Sequence, residues 1–471
     1  MAGPTLAHLC RYAQPSSLSG PELRLATSDG AQQSPHFFSG TLARPRLSAQ
    51  CLRTLSRVVQ ARYHVPAAML DRILALADPI VTSGAGMLRF EGFSSCASVY
   101  CRMDLVPEAF AKVAEASPGT TNVDFNGEMR AALSGVRDGD PLALSVGAKE
   151  VIVESGPSRV VERKVPLPVR WLKGLVEVQA YQAAMSPRFE VAGPEAVRFL
   201  RSLPRSGTKH PGWVVASGRT LRLSQREAPA AARVVGIERL RPLEDLAVSA
   251  RKMRCYADER NGASAWELDL EIGRFVLVLS PEVWRGFSGE GQALAHLASQ
   301  RDEALIARAR ASLKWQQRID LDALAREWSV APDGVAAAMS ALGARGLVGY
   351  DLALGSYFHR ELPFDMSLIE ALQPRLVAAR KIVSDGVVAL VGDGEATVAG
   401  TGVTHRVRFE EDPPRCTCPW FARHQGMRGP CKHVLAAQIL AEEREWGSQP
   451  SPTISEGSSK RGTSTRAPRS S

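Results

Sequence analysis

Two cysteines one residue apart, Cys416-Thr417-Cys418, are followed after twelve residues by Cys431-Lys432-His433, and this spacing constrains the chain more than any other feature. On an extended segment, side chains two apart point to the same side, so Cys416 and Cys418 can face one ion. Gly429-Pro430 predicts a sharp turn before Cys431. Val434 to Glu445 then offers good helix formers with an apolar stripe at Leu435, Ala436, Ile439 and Leu440. Residues i and i+2 diverge inside a helix, so Cys431 and His433 must meet the ion at the helix entrance, where the backbone dipole favours thiolates. Three soft thiolates and one imidazole match tetrahedral Zn²⁺, with Zn–S of about 2.3 Å and Zn–N of about 2.0 Å. All four positions are filled by protein, which leaves no place for an activated water. The expected cofactor is therefore one structural Zn²⁺, worth roughly 10 to 16 kcal/mol of apparent folding free energy in small fingers. His424 competes with His433 for the fourth position but lies mid-insert without a paired cysteine.

The other five cysteines, Cys10, Cys51, Cys96, Cys101 and Cys255, are scattered and read as inert thiols. Cys96 and Cys101 lie five apart in a strand-like stretch, yet nothing beside them argues for a redox pair. At 471 residues the chain exceeds one compact core, and an α+β multidomain organisation is expected. Residues 1–35, rich in Gly, Pro, Ser and Gln, read as a mobile leader, with order beginning near His36-Phe37-Phe38. Leu52 to Leu76 predicts two helices broken at Pro66, and Asn126 reads as a helix cap. Strands are expected at Leu142 to Val146 and Glu150 to Glu154. A strand feeding a helix is expected at Val161 to Val178, Arg188 to Leu203 and Arg274 to Phe287. Trp171-Leu172-Lys173-Gly174 and Trp284-Arg285-Gly286 place Trp shortly before Gly in two of these, so residues 36–300 read as an α+β region with a degenerate internal duplication and both tryptophans as core anchors.

From 303 to 365 the pattern changes. Helices at Ala304 to Trp315, Leu321 to Trp328 and Val335 to Ala344 precede strands Leu347 to Asp351 and Ser356 to Arg360, the order of a winged-helix-like module. Its third helix offers no Arg, Lys, Asn or Gln to a base edge before Arg345, which favours packing or protein contact over sequence reading. Met366 to Ile382 reads as a helix, followed by strands at Gly386 to Val391, Glu395 to Gly400 and Val403 to Phe409. Residues 384–445 then form a C-terminal ββα-type zinc module, and 446–471 a disordered, basic, Ser-rich tail.

Cys-x-Cys, twelve residues, Cys-x-His and a helix resemble the SWIM zinc finger at all four ligand positions. The wider chain, with His36-Phe37-Phe38-Ser39-Gly40, Arg89-Phe90-Glu91-Gly92-Phe93 and Val165-Pro166-Leu167-Pro168-Val169-Arg170-Trp171-Leu172-Lys173-Gly174, is similar to bacterial SWIM-family proteins of comparable length. That resemblance implies zinc binding and DNA or protein interaction without assigned catalysis. It also implies a partner in systems containing a AAA+ ATPase and a von Willebrand-type domain protein.

The formal charge of +9 invites a nucleic-acid reading, but its distribution weakens it. Residues 1–60 hold six Arg against Glu22 and Asp29, and residues 446–471 hold Lys460, Arg461, Arg466 and Arg469 against Glu456, which leaves only +2 elsewhere. No apolar run is long enough to span a bilayer and no secretory signal is evident, so a cytoplasmic location is expected. Motifs for zinc deaminases, zincins, P-loops, dinucleotide folds and nucleophile elbows are incomplete or missing. The favoured function is a non-catalytic adaptor presenting protein-contact surfaces. The alternative is a DNA- or RNA-binding protein in which Arg415, Arg423, Arg428 and Lys432 grip phosphates while Trp420 or Phe421 stacks on a base. A second alternative is an enzyme with an unrecognised site in 36–300.

Overall fold

The computed structural model describes residues 17–19, 22–25, 38–64, 79–122, 127–140, 142–146, 169–207, 211–287, 302–362, 373–392, 394–400, 402–409, 414–426 and 428–447. Its centre is an eight-stranded antiparallel sheet in the order Ser186–Ala192, Lys252–Ala257, Ser264–Leu270, Gly273–Leu279, Val99–Leu105, Met87–Phe93, Ile80–Gly84, Gly119–Asn122. Every residue of Met87–Phe93 and Val99–Leu105 is buried, so the middle of the sheet is covered on both faces. The helix Pro45–Gln60 lies against one face through Leu52, Leu55, Val58 and Val59. It approaches so closely that a Cβ on Gly92 would sit 2.7 Å from Val59. The helix Val169–Ala184 meets the sheet at Phe93, with Trp171 edge-on to Phe93 and Tyr181 edge-on to Phe287, each at 5.8 Å.

The other face is charged. Pleating places Arg89 and Glu91, Arg102 and Asp104, and Arg274 together, with Arg89 opposite Asp104 and Glu91 opposite Arg102 in register. All but Arg274 are at most 1% exposed. The strands Val348–Asp351 and Ser356–His359 cover them, so the hairpin of the 303–362 segment is docked on the sheet. That segment has the expected element order: helices Glu303–Ala311, Leu321–Trp328 and Pro332–Ala344, then the hairpin. Asp302 and Asp320 cap the first two helices by accepting from Leu305 and Ala323, and Ser329 in the left-handed region ends the second. The third helix is buried at Val335, Ala338, Met339 and Ala341 to Ala344, and packs on Val169–Ala184 where Gly343 admits the Gln179 amide.

The last segment comprises the helix Pro374–Ser384, a sheet of Val388–Leu390, Glu395–Ala399, Thr404–Arg408 and Arg415–Cys416, a short helix Pro419–His424 and the helix Lys432–Gly447. It is a fuller unit than a ββα finger. Lys432–Gly447 faces two cores at once: Val434 and Ala437 pack with Val388, Val398 and Val407, while Leu435, Ala436 and Ile439 join the core of the large sheet.

Several expectations change. Ser17–Ser19 and Glu22–Leu25 are strands in a five-stranded sheet, Glu22–Leu25 running parallel to Ala143–Val146, so the stretch 1–35 is not wholly a leader without structure. The expected Arg188 to Leu203 unit exists as Ser186–Ala192 and Gly193–Ser202, but Gly273–Leu279 is followed by a turn at 283–285, not a helix. Trp284 is 52% exposed and is not a core anchor, unlike Trp171 at 3%. Of the helix expected from Met366, only Pro374–Ser384 falls within the described residues. The leader before residue 17, Cys10, the second helix around Pro66, the Asn126 cap, the strand Glu150 to Glu154 and the Ser-rich tail lie outside the described residues. Cys51, Cys96, Cys101 and Cys255 are buried and form no disulfide, and burial pushes the Cys51 thiol well up.

No helix among the described residues is long and apolar enough to cross a membrane.

Candidate metal centre

The strand Arg415–Cys416 pairs with Thr404–Arg408, Cys416 opposite Val407, which fixes Cys416 toward the interior. Thr417 bonds outward to the neighbouring strand: its N–H donates to the Arg406 carbonyl, and its hydroxyl accepts from the Arg406 N–H at 2.9 Å. The alternation then returns Cys418 to the inside, where it opens the helix Pro419–His424 and accepts the Phe421 N–H at 3.3 Å. Cys431 similarly precedes Lys432–Gly447 and accepts the Val434 N–H at 3.5 Å. His433, one residue into that helix, turns Nδ1 to within 3.8 Å of the Cys416 sulfur.

The ligand atoms of Cys416, Cys418, Cys431 and His433 all lie within 4.8 Å of one another, and all four residues are buried. A tetrahedral zinc site needs ligand atoms roughly 3.5 to 4 Å apart, so the set fits one structural Zn²⁺. The N–H bonds to sulfur are a second fit, because such donors stabilise thiolate over thiol. The hydrogen bond from Cys416, followed by that from Cys431, draws Cys418 far below the usual thiol range, while Cys416 rises through the same contact.

Arg375 and His405 also belong to the centre, and sequence reasoning missed both. Arg375 donates to the carbonyls of Arg428 and Pro430 at 2.9 and 2.7 Å and lays its guanidinium 4.6 Å from the Trp420 ring, bracing the loop that delivers Cys431. No pattern ties it to a loop more than fifty residues away. His405 sets its ring 4.4 Å from that of His433 at a tilt of 36°, and burial, then the neighbouring imidazole, lowers its pKa. A signal for it existed: it shares the inward parity of Val407 on a strand whose other residues face out.

Among the predicted contact residues, Arg415, Arg423 and Lys432 are exposed. Trp420 is half-buried beneath Arg375. Phe421, 5% exposed, is part of the small core, so the expectation that it stacks on a base is corrected. Arg428 lies over the Trp284 ring at 4.5 Å. His424 packs on Trp420 and is not a member of the ligand cluster.

Fold and site together define a protein with a closed Cys₃His centre built into a larger α+β body. The sequence matches the SWIM zinc finger family over residues 405–439, so the chain carries a SWIM zinc finger. No curated protein matches it. A solved structure of proliferating cellular nuclear antigen from Entamoeba histolytica aligns at 9% identity over 52% of this chain and 99% of that one, with a TM-score of 0.34, too low to bear on fold or function.

Proposed function

We propose that this protein is a non-catalytic adaptor in which zinc organises a surface for a protein partner, with the 303–362 segment acting as a winged-helix-like packing module. The observation that carries this reading is the position of the third helix. Major-groove reading needs a free helix face, and Pro332–Ala344 spends its face on Val169–Ala184 and on its own core, leaving only its first turn exposed. Phe421 is likewise buried and Trp420 is partly covered, which counts against base stacking by these two rings.

The surface offered instead is a groove of about 710 Å³ between the edge strand Ser186–Ala192 and the zinc segment. Arg188, Arg260 and Asn261 form one wall, and Gln425, Gly426 and Pro430 form the other. Amides and bare backbone beside apolar carbon suit an extended peptide. Family resemblance makes a AAA+ ATPase or a von Willebrand-type protein the first partner to seek. The test is capture on immobilised protein followed by mass spectrometry, repeated with Gln425→Arg, which fills the groove. A partner lost in the variant supports the proposal.

The nucleic-acid alternative keeps one specific support: Arg415, Arg423 and Lys432 are exposed with no acid in sequence between Arg415 and His433. A mobility shift on duplex or single-stranded DNA at low salt, abolished by Arg423→Gln with Lys432→Gln, would replace the adaptor reading.

A further inference from the structure

Away from the zinc centre, a cleft of about 500 Å³ runs between the outer face of the helix Pro45–Gln60 and the end of the helix Gly127–Gly135. Four guanidinium groups line it, from Arg46, Arg53, Arg57 and Arg137. Spacings of seven and four residues set the first three on one face of their helix, spread over about 16 Å. This helix contains no acidic residue at all, so its arginines receive no i,i+4 partner, and Arg53 and Arg57 repel one another along it. Folding asks only that an outer face be polar. A row of like charges facing a concavity needs another cause.

The acids nearby do not neutralise the row. Asp245, on the wall, is held by Arg57 at 2.8 Å while its carbonyl accepts from Gln50, and Asp138 at the rim pairs with Arg46 at 3.1 Å. Among the described residues the guanidinium groups of Arg53 and Arg137 form no ion pair, and the Asp140 carboxylate accepts only the backbone N–H of Arg137, at 2.7 Å. Among the described residues no aromatic ring lines the cleft, which counts against stacking on a base there. Planar guanidinium forks match phosphate oxygens in pairs. We infer that this cleft binds a small ligand carrying two or more phosphates, with Arg53 and Arg137 gripping the anion and Arg46 and Arg57 flanking it. Its concavity fits a short phosphate chain and not the convex backbone of a duplex.

Titration calorimetry at physiological salt tests this with tripolyphosphate, inorganic phosphate and a single-stranded oligonucleotide as separate probes. Tripolyphosphate should bind once per chain and more tightly than inorganic phosphate. The double variant Arg53→Gln, Arg137→Gln should weaken it by about tenfold for each guanidinium removed. Both side chains are exposed, so zinc content and unliganded thermal midpoint should stay unchanged. Arg219→Gln with Arg222→Gln, which removes two exposed charges elsewhere, should leave the affinity intact. The inference is overturned by an absence of tripolyphosphate binding, by equal losses in both double variants, or by an oligonucleotide response to Arg53 and Arg137 without a tripolyphosphate response.

Discussion

The Arg274 guanidinium grips the Asp351 carboxylate through both oxygens, at 2.9 and 2.8 Å. One partner is on a central strand of the large sheet and the other ends the first strand of the 348–359 hairpin. Arg89 reaches the same carboxylate at 3.1 Å and stacks on Phe358 with its guanidinium carbon 3.7 Å from the ring centre. Asp351 also accepts the N–H groups of Ala353 and Leu354, so a single side chain sets the hairpin turn and docks it. Arg360 reaches back to Glu91, which accepts the Tyr100 hydroxyl at 2.5 Å. These links make the 303–362 segment and the sheet one mechanical unit.

Asp351→Asn should therefore destabilise the protein by about 3 to 5 kcal/mol, the usual cost of removing one partner from a buried ionic group. Burial pushes the Asp351 pKa up, but Arg102, Arg89 and Arg274 outweigh it and hold the carboxyl well below its ordinary range. A depressed folded pKa contributes stability that is fully present above the unfolded value of about 3.9 and is lost as pH falls below it. Urea melts of both proteins should thus differ by a constant amount at neutral pH and converge in acid. Equal midpoints at pH 7 would refute the role.

Gly273→Ala should cost roughly 2 to 4 kcal/mol by the same measurement. Gly273 has φ of 139°, and a Cβ there would lie 1.8 Å from the Asp104 carbonyl, which is backbone in the middle of the sheet and cannot yield.

What was legible in the sequence followed from short-range rules. Ligand spacing, turn residues and helix formers within eighteen residues located Cys416, Cys418, Cys431 and His433, and the helices expected from Ala304 and Leu321 stand as Glu303–Ala311 and Leu321–Trp328. The charged sheet face was illegible because Arg89, Arg102 and Asp104 look solvent-facing until Asp351, some 250 residues on, covers them. Phe421 was misread because an aromatic beside cations looks the same in sequence whether it faces solvent or core. Arg375 was missed for the same reason as Asp351: its partners are carbonyls and a ring in distant sequence, and no local period marks them.

Arg375→Ala should weaken zinc binding by roughly 10- to 100-fold without touching a ligand, as loss of groups that orient metal ligands does. It would free the carbonyls of Arg428 and Pro430 and uncover Trp420, loosening the turn ahead of Cys431. Competition with a chromogenic chelator measures the affinity, and Arg380→Ala, an exposed arginine on the same helix, is the control. Unchanged affinity in Arg375→Ala would leave that arginine a packing role only.

Zinc removal tests whether the finger is a separate bead or part of the body. Cys431→Ser deletes one of three thiolates and should abolish zinc binding, releasing the ligand loop and with it the start of Lys432–Gly447. Leu435, Ala436 and Ile439 of that helix pack in the core shared with the eight-stranded sheet, so losing its first turns removes apolar contacts from the body as well. The expected outcome in calorimetry is a single unfolding transition in the holoprotein that moves to lower temperature as one transition in Cys431→Ser or with a chelator. Two resolved transitions, the larger unmoved by zinc, would mean that the body folds independently of the finger and that the shared core contributes little.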